Sequence, residues 1–112
     1  MEKRVQLSIL LNIYGNLLTD KQRNIMDLYY NFDLSLSEIA EHTNTSRQAV
    51  YDIIKRCNKL LMQYEKKLDL MNRKFKLKES TDTVLNMLDS IINSDNKILV
   101  DNIKKYITDN IK

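Results

Sequence analysis

Apolar positions recur at steps of three and four along almost the whole chain, so an α-helical reading applies from end to end. Leu7, Leu10, Leu11, Tyr14, Leu17 and Leu18 form one stripe and predict a first helix over 3–18, with Gly15 weakening its end. This stripe is read as core rather than as a membrane-surface face, because the opposite face carries little positive charge. Thr19 is placed to cap a second helix, with Gln22 three residues on as its capping-box partner. Ile25, Met26, Leu28, Tyr29 and Phe32 give that helix its core stripe, with Tyr30 at the edge as a half-exposed ring. The run Asn31-Phe-Asp33 ends it.

The stretch 35–61 organises the rest. Ser35 and Glu38 make a second capping box, and Ile39 and Ala40 are the first buried pair of a short helix. Thr43, Asn44 and Thr45 favour turns and caps over helix interiors. Asn44 occupies the turn position that needs a left-handed backbone, for which Asn is second to Gly. Thr45 then caps the next helix, with Gln48 as a third capping-box residue. Val50, Ile53, Ile54 and Cys57 face inward, and small Ala40 lets two steeply crossed helices touch. The pattern predicts a helix-turn-helix without a wing, in an all-α fold.

The second helix of that motif does not stop where a reading helix needs to stop. Val50, Ile54, Cys57, Leu61, Tyr64, Leu68, Met71 and Phe75 alternate steps of four and three, a heptad seam along a helix of about 39 Å. A helix of that length needs cover from the C-terminal helices or from a second copy of the chain. The cluster 80–83 (Ser-Thr-Asp-Thr) is expected to cap a further helix bearing Val84, Leu85, Leu88, Ile91 and Ile92. Residues 93–96 form a turn before a last helix with Ile98, Leu99, Ile103, Tyr106 and Ile107. The expected organisation is a helix-turn-helix domain over 1–78 and a helical hairpin over 79–112. The hairpin would be packed on that domain as one compact unit, or on a partner chain as part of a homodimer.

Composition sharpens this picture in two places. One Gly and no Pro in 112 residues agree with helices joined by short turns. The lone Cys57 excludes an internal disulfide and suits a reducing, cytoplasmic setting. No apolar run approaches the roughly 18 residues of a membrane span, and the N-terminus has no signal-peptide pattern. The net charge of +3 is unevenly placed: residues 55–78 carry nine Lys or Arg against Glu65 and Asp69, a local +7 that leaves −4 for the remainder. Such a stripe fits a polyanionic partner, or else a solvated helix face.

The segments Leu18-Thr-Asp-Lys-Gln-Arg23, Leu28-Tyr-Tyr-Asn-Phe32, Leu34-Ser-Leu-Ser-Glu-Ile-Ala40, Thr45-Ser-Arg-Gln-Ala-Val50 and Lys55-Arg56 resemble the last DNA-binding region of bacterial sigma factors. The chain is too short to hold the other sigma regions. From Met1 to about Lys78 it resembles the YlxM family of small bacterial helix-turn-helix proteins. That resemblance implies an association with the signal recognition particle pathway.

Chemistry-bearing residues are sparse. His42 is the only histidine, Cys57 has no second Cys, and no phosphate-loop, dinucleotide-binding or nucleophile-elbow pattern occurs, so neither enzyme, cofactor nor metal is expected. The candidate site is instead a nucleic-acid-binding face of Ser46, Arg47, Gln48, Tyr51, Lys55 and Lys59. The first turn of the reading helix enters the major groove, where Arg47 suits guanine and Gln48 adenine. Ser46 and the free N–H groups of that turn suit a phosphate, and Lys55 and Lys59 the backbone further along. Lys21 and Arg23 are additional phosphate candidates or plain surface charge. Asp52 lies within the face and opposes phosphate, although it can accept from cytosine. Three functions follow: a dimeric DNA-binding regulator, with DNA expected ahead of RNA; an RNA- or protein-binding accessory factor of the signal recognition particle; or an oligomeric scaffold.

Overall fold

A computed structural model describes residues 1–111. It is all-α: α1 (Lys3–Tyr14), a 3-10 turn (Gly15–Leu17), α2 (Asp20–Tyr30), α3 (Leu36–Thr43), α4 (Arg47–Leu68), α5 (Leu70–Ile91) and α6 (Lys97–Asn110). The chain divides into two compact units, Met1–Met71 and the residues from Asn72 onward.

The first unit is a helical cluster built on α4. Leu7, Leu10, Leu11 and Tyr14 of α1, Leu18 at the end of the 3-10 turn, Ile25 and Met26 of α2, and Ile39 and Ala40 of α3 close around Val50, Ile54, Cys57 and Leu61. The predicted stripes of the first three helices therefore fill one core, with two exceptions. Leu17 and Phe32 are exposed, because the first falls in the 3-10 turn and the second lies beyond the end of α2. Gly15 keeps a right-handed helical backbone and opens that turn. Both expected capping boxes at Thr19–Gln22 and Ser35–Glu38 form with their two reciprocal bonds. Burial of some dozen apolar side chains at about 1.5–3 kcal/mol each dominates the favourable side of this unit's stability.

The long helix is broken. Asp69 adopts a left-handed backbone (φ 56°, ψ 29°), and α5 starts at Leu70. The break has a specific support. Tyr14 Oη donates to Glu65 Oε1 at 2.8 Å, and the same oxygen accepts the N–H of Met71 at 3.0 Å. The Leu70 N–H donates to Tyr14 Oη at 3.1 Å. The N–H groups that a new helix leaves without intrahelical partners are thus met by a carboxylate one turn back and a phenol from α1. The heptad seam fails accordingly: Leu68 and Phe75 are exposed, while Met71 remains buried.

In the second unit the expected helix start at 80–83 does not occur, and α5 runs straight through it. Thr81 and Thr83 instead return their hydroxyls to the carbonyls of Leu77 and Glu79, which satisfies both inside a helix. The expected boundary near residue 78 accordingly falls in the middle of α5. The turn at 93–96 does form. Asn93 Oδ1 accepts the N–H groups of Asp95 and Asn96, and Asn96 Nδ2 donates to the Ile91 carbonyl. The Asn96 side chain makes no N-terminal cap bond to α6. α6 returns antiparallel to α5, tied by Lys104 to Asp89. Thr81 of α5 and Val100 and Ile107 of α6 are buried, whereas Ile98, Leu99, Ile103 and Tyr106 of the predicted stripe are exposed.

Candidate nucleic-acid interface

The turn between α3 and α4 is built as the sequence demands at Asn44 and differently beside it. Asn44 is left-handed (φ 56°, ψ 42°), and its N–H reaches the carbonyls of Ala40 and Glu41. The N–H of Thr45 also donates to the Ala40 carbonyl, at 2.9 Å. This closes the end of α3 in one residue and turns the chain sharply. Thr45 is not the cap of α4. Its hydroxyl lies 2.9 Å from that of Thr43, which itself donates to the Ile39 carbonyl. The cap is Ser46, whose Oγ accepts the N–H of Ala49 at 3.1 Å. The expected third capping box is therefore absent: the helix starts one residue later, which moves Gln48 out of the third position.

That shift frees Gln48 from a capping role and gives it another. Its Nε2 donates to Asp52 Oδ1 at 3.0 Å, one turn along the same face. Arg47, Gln48, Tyr51, Asp52, Lys55 and Lys59 are all exposed, and Ser46 stands at the head of their face. The six residues proposed from sequence thus lie together on one helix, with Val50, Ile54 and Cys57 on the opposite, buried side. Lys55 Nζ stands 6.0 Å from the centroid of the Tyr51 ring, within cation–π range. Lys21 is exposed, and Arg23 is tied to Asn16 at 2.5 Å.

Neighbouring residues outside the six candidates complete the surroundings. Tyr30 Oη donates to Asn58 Oδ1 at 2.8 Å, and burial pushes the Tyr30 phenol above its ordinary value. Arg4 ion-pairs with Asp33 at 2.6 Å, donates to the Tyr29 carbonyl, and stacks over the Tyr29 and Tyr30 rings. A cavity of about 270 Å³ lies between the end of α2, the start of α3 and the Tyr51–Asn58 face of α4. The signal that could have located it is the Tyr29-Tyr30 pair, two rings that a single core stripe cannot bury together.

Cys57 is buried and its thiol is pushed up by that burial, the opposite of a reactive cysteine. Glu38 is held below the usual carboxylate range by the Ser35 N–H, as a capping residue. Among the described residues no cluster of His, Cys, Asp and Glu is suited to a metal ion, and no helix is long and apolar enough to cross a membrane.

A family model described as "Putative helix-turn-helix protein, YlxM / p13 like" matches residues 1–105. The chain is 60% identical over 111 residues to a UPF0122 protein of Clostridium kluyveri, covering 99% of this chain and all of that one. It is 50% identical over 112 residues to a UPF0122 protein of Clostridium acetobutylicum, covering 96% of each. To a UPF0122 protein of Clostridium perfringens it is 48% identical over 115 residues, covering 100% of this chain and 96% of the other. With a left-handed turn at Asn44 between α3 and α4, and matches that span nearly its whole length, the chain belongs to the YlxM/p13-like family of helix-turn-helix proteins.

Proposed function

We propose that the protein is a non-enzymatic, cytoplasmic DNA-binding regulator that reads its target with the first turn of α4. The observation that carries this reading is the Ser46 cap. It fixes the start of α4 so that Arg47 and Gln48 project from the exposed end of a helix whose other side is core. Arg47 is the base-reading residue, with guanine as its partner; Ser46 and the first-turn N–H groups serve a phosphate, and Tyr51, Lys55 and Lys59 follow the backbone. The active form is a homodimer, formed through the exposed apolar residues of α5 and α6, so that two reading helices meet two half-sites.

A second reading is favoured by the Gln48–Asp52 bond. A glutamine amide held by a carboxylate in the middle of the reading face is poorly placed for adenine, and the basic run over 55–78 is better suited to backbone contact. On that reading the protein is an RNA- or protein-binding accessory factor of the signal recognition particle.

The test is fluorescence anisotropy with a random DNA duplex and a structured RNA hairpin, each titrated against salt. A phosphate-binding face gives a log–log salt slope of about −0.9 per neutralised phosphate on duplex DNA, shallower by about 1 in Lys55→Ala and in Lys59→Ala. Tighter binding of duplex supports the regulator, and tighter binding of the hairpin the accessory factor. No binding of either at low salt overturns the regulator and the RNA-binding form of the second reading, and leaves the motif to protein contact.

A further inference from the structure

The cavity beside α4 combines aromatic walls, an apolar floor and hydrogen-bond donors. Tyr51 and Lys55, already on the nucleic-acid face, line it with Asn58 of the same helix and with Tyr29 and Tyr30 of α2, beside Leu36 and Ile54. A second cavity of about 220 Å³ shares Tyr29, Tyr30 and Asn58 and adds Lys3 and Arg4. Cations therefore stand at both ends of a run of tyrosine rings.

The walls are held in place. Tyr29 and Tyr30 meet edge to face at 4.9 Å, and the Arg4 guanidinium lies 4.8 and 5.2 Å from their centroids. The Tyr30 hydroxyl donates to Asn58 Oδ1, which holds the Asn58 carboxamide and leaves its NH2 group as a donor. Tyr51 is the accessible ring, 42% exposed. At about 270 Å³ the cavity falls just short of the range of roughly 300–1,000 Å³ in which drug-sized ligands bind. It has room for one flat ring system, with any sugar and phosphate left outside towards Lys59.

We propose that this cavity takes a single unpaired nucleobase from the nucleic acid held by α4. The inference rests on the nucleic-acid-binding reading above and narrows its ligand. Bases in an intact duplex have both faces stacked and cannot enter, so the favoured target carries a bulged or otherwise unpaired base. An aromatic side chain from a protein partner would find the same rings, but its ring offers the Lys55 ammonium and the Asn58 NH2 no acceptor to bond within the cavity. A base supplies them: guanine presents O6 and N7 side by side. Stacking on tyrosine is sequence-tolerant, whereas the two donors favour a base rich in acceptors.

The test compares two labelled DNA duplexes of equal length and base composition, one fully paired and one with a single unpaired guanine, by anisotropy at one salt concentration. The wild-type protein is expected to prefer the bulged duplex by roughly 10-fold, within the range measured for base–aromatic stacking. Tyr51→Ala lowers that ratio towards one, and Tyr51→Phe preserves it. Leu36→Trp, which fills the cavity from α3 and leaves Tyr51 in place, also abolishes the preference. Equal binding of the two duplexes by the wild type overturns the base site and leaves the nucleic-acid reading standing. Binding of neither overturns the base site together with the DNA-binding reading. A preference that survives Tyr51→Ala and Leu36→Trp places the unpaired base elsewhere and overturns the proposal.

Discussion

Tyr14→Phe removes one oxygen from the core and disconnects three elements at once. In the wild type Tyr14 Oη donates to Glu65 and accepts from Leu70, while Glu65 also holds the Met71 N–H. Tyr14 is 2% and Glu65 8% exposed, so water replaces these partners poorly. The bond to the carboxylate is worth about 1.5–3 kcal/mol and the bond from the Leu70 amide about 0.5–1.5 kcal/mol. Loss of both predicts a destabilisation of about 2–4 kcal/mol, since the phenyl ring itself still fills its place. For a unit of this size that is a fall in Tm on the order of 10–20 °C.

The assay is amide hydrogen exchange, which reports each region separately. Ile25 and Val50 measure the whole first unit, and Leu70 and Met71 the start of α5. A double-mutant cycle with Glu65→Gln should give a coupling of about 1 kcal/mol or more, because the two residues share one bond. A pH signature accompanies it. Burial, reinforced by the bond to Glu65, raises the Tyr14 phenol above its ordinary value of about 10. Its contribution to stability is therefore complete below about pH 10 and is lost as the pH rises through the folded value. That alkaline loss should be smaller in Tyr14→Phe. A change under about 0.5 kcal/mol with unaltered exchange at Leu70 and Met71 would refute the claim that this network sets the break at Asp69.

Three further outcomes follow from the helix ends. Ser46→Ala should cost about 1 kcal/mol in urea unfolding, and Thr45→Ala distinctly less, because Ser46 alone bonds the start of α4; the reverse order would restore Thr45 as the cap. Asn44→Gly should leave stability unchanged or slightly raised, while Asn44→Val should lower it by about 1–2 kcal/mol, since its φ of 56° penalises a branched side chain. Glu38 is held below its ordinary value of 4.5, so the stability it lends is present above that pH and is lost as the pH falls through the folded value. A Tm series from pH 6 to pH 3 should be shallower for Glu38→Gln than for the wild type.

The first unit was readable because local signals and the global fold agree there. Two capping boxes, the left-handed Asn44 and the inward stripe from Val50 to Leu61 each specify a feature that packing also requires. The misplaced cap at Thr45 came from two adjacent hydroxyls, either of which satisfies the pattern; only Thr43, by engaging the Thr45 hydroxyl, leaves Ser46 to the helix. The break at Asp69 was not legible for a deeper reason. Its cause is a phenol 55 residues upstream in the sequence, and a heptad count passes through Asp69 undisturbed. The helix start at 80–83 failed in the opposite sense. Ser, Thr and Asp read as caps, but Thr81 and Thr83 can equally bond back within a continuing helix. The six candidate site residues were placed on one exposed face by periodicity alone, whereas the cavity beside them needed α2 and α3 to be brought against α4.

The central claim is that the first turn of α4 reads bases. It is tested most directly by selecting a preferred duplex from a random pool and measuring its affinity, and that of a scrambled duplex, for the wild type and Arg47→Ala at one salt concentration. A bidentate contact to guanine is worth about 1–3 kcal/mol, so Arg47→Ala should weaken the selected site by roughly 5- to 150-fold and the scrambled duplex by far less. Equal weakening on both would make Arg47 a phosphate contact and contradict the account.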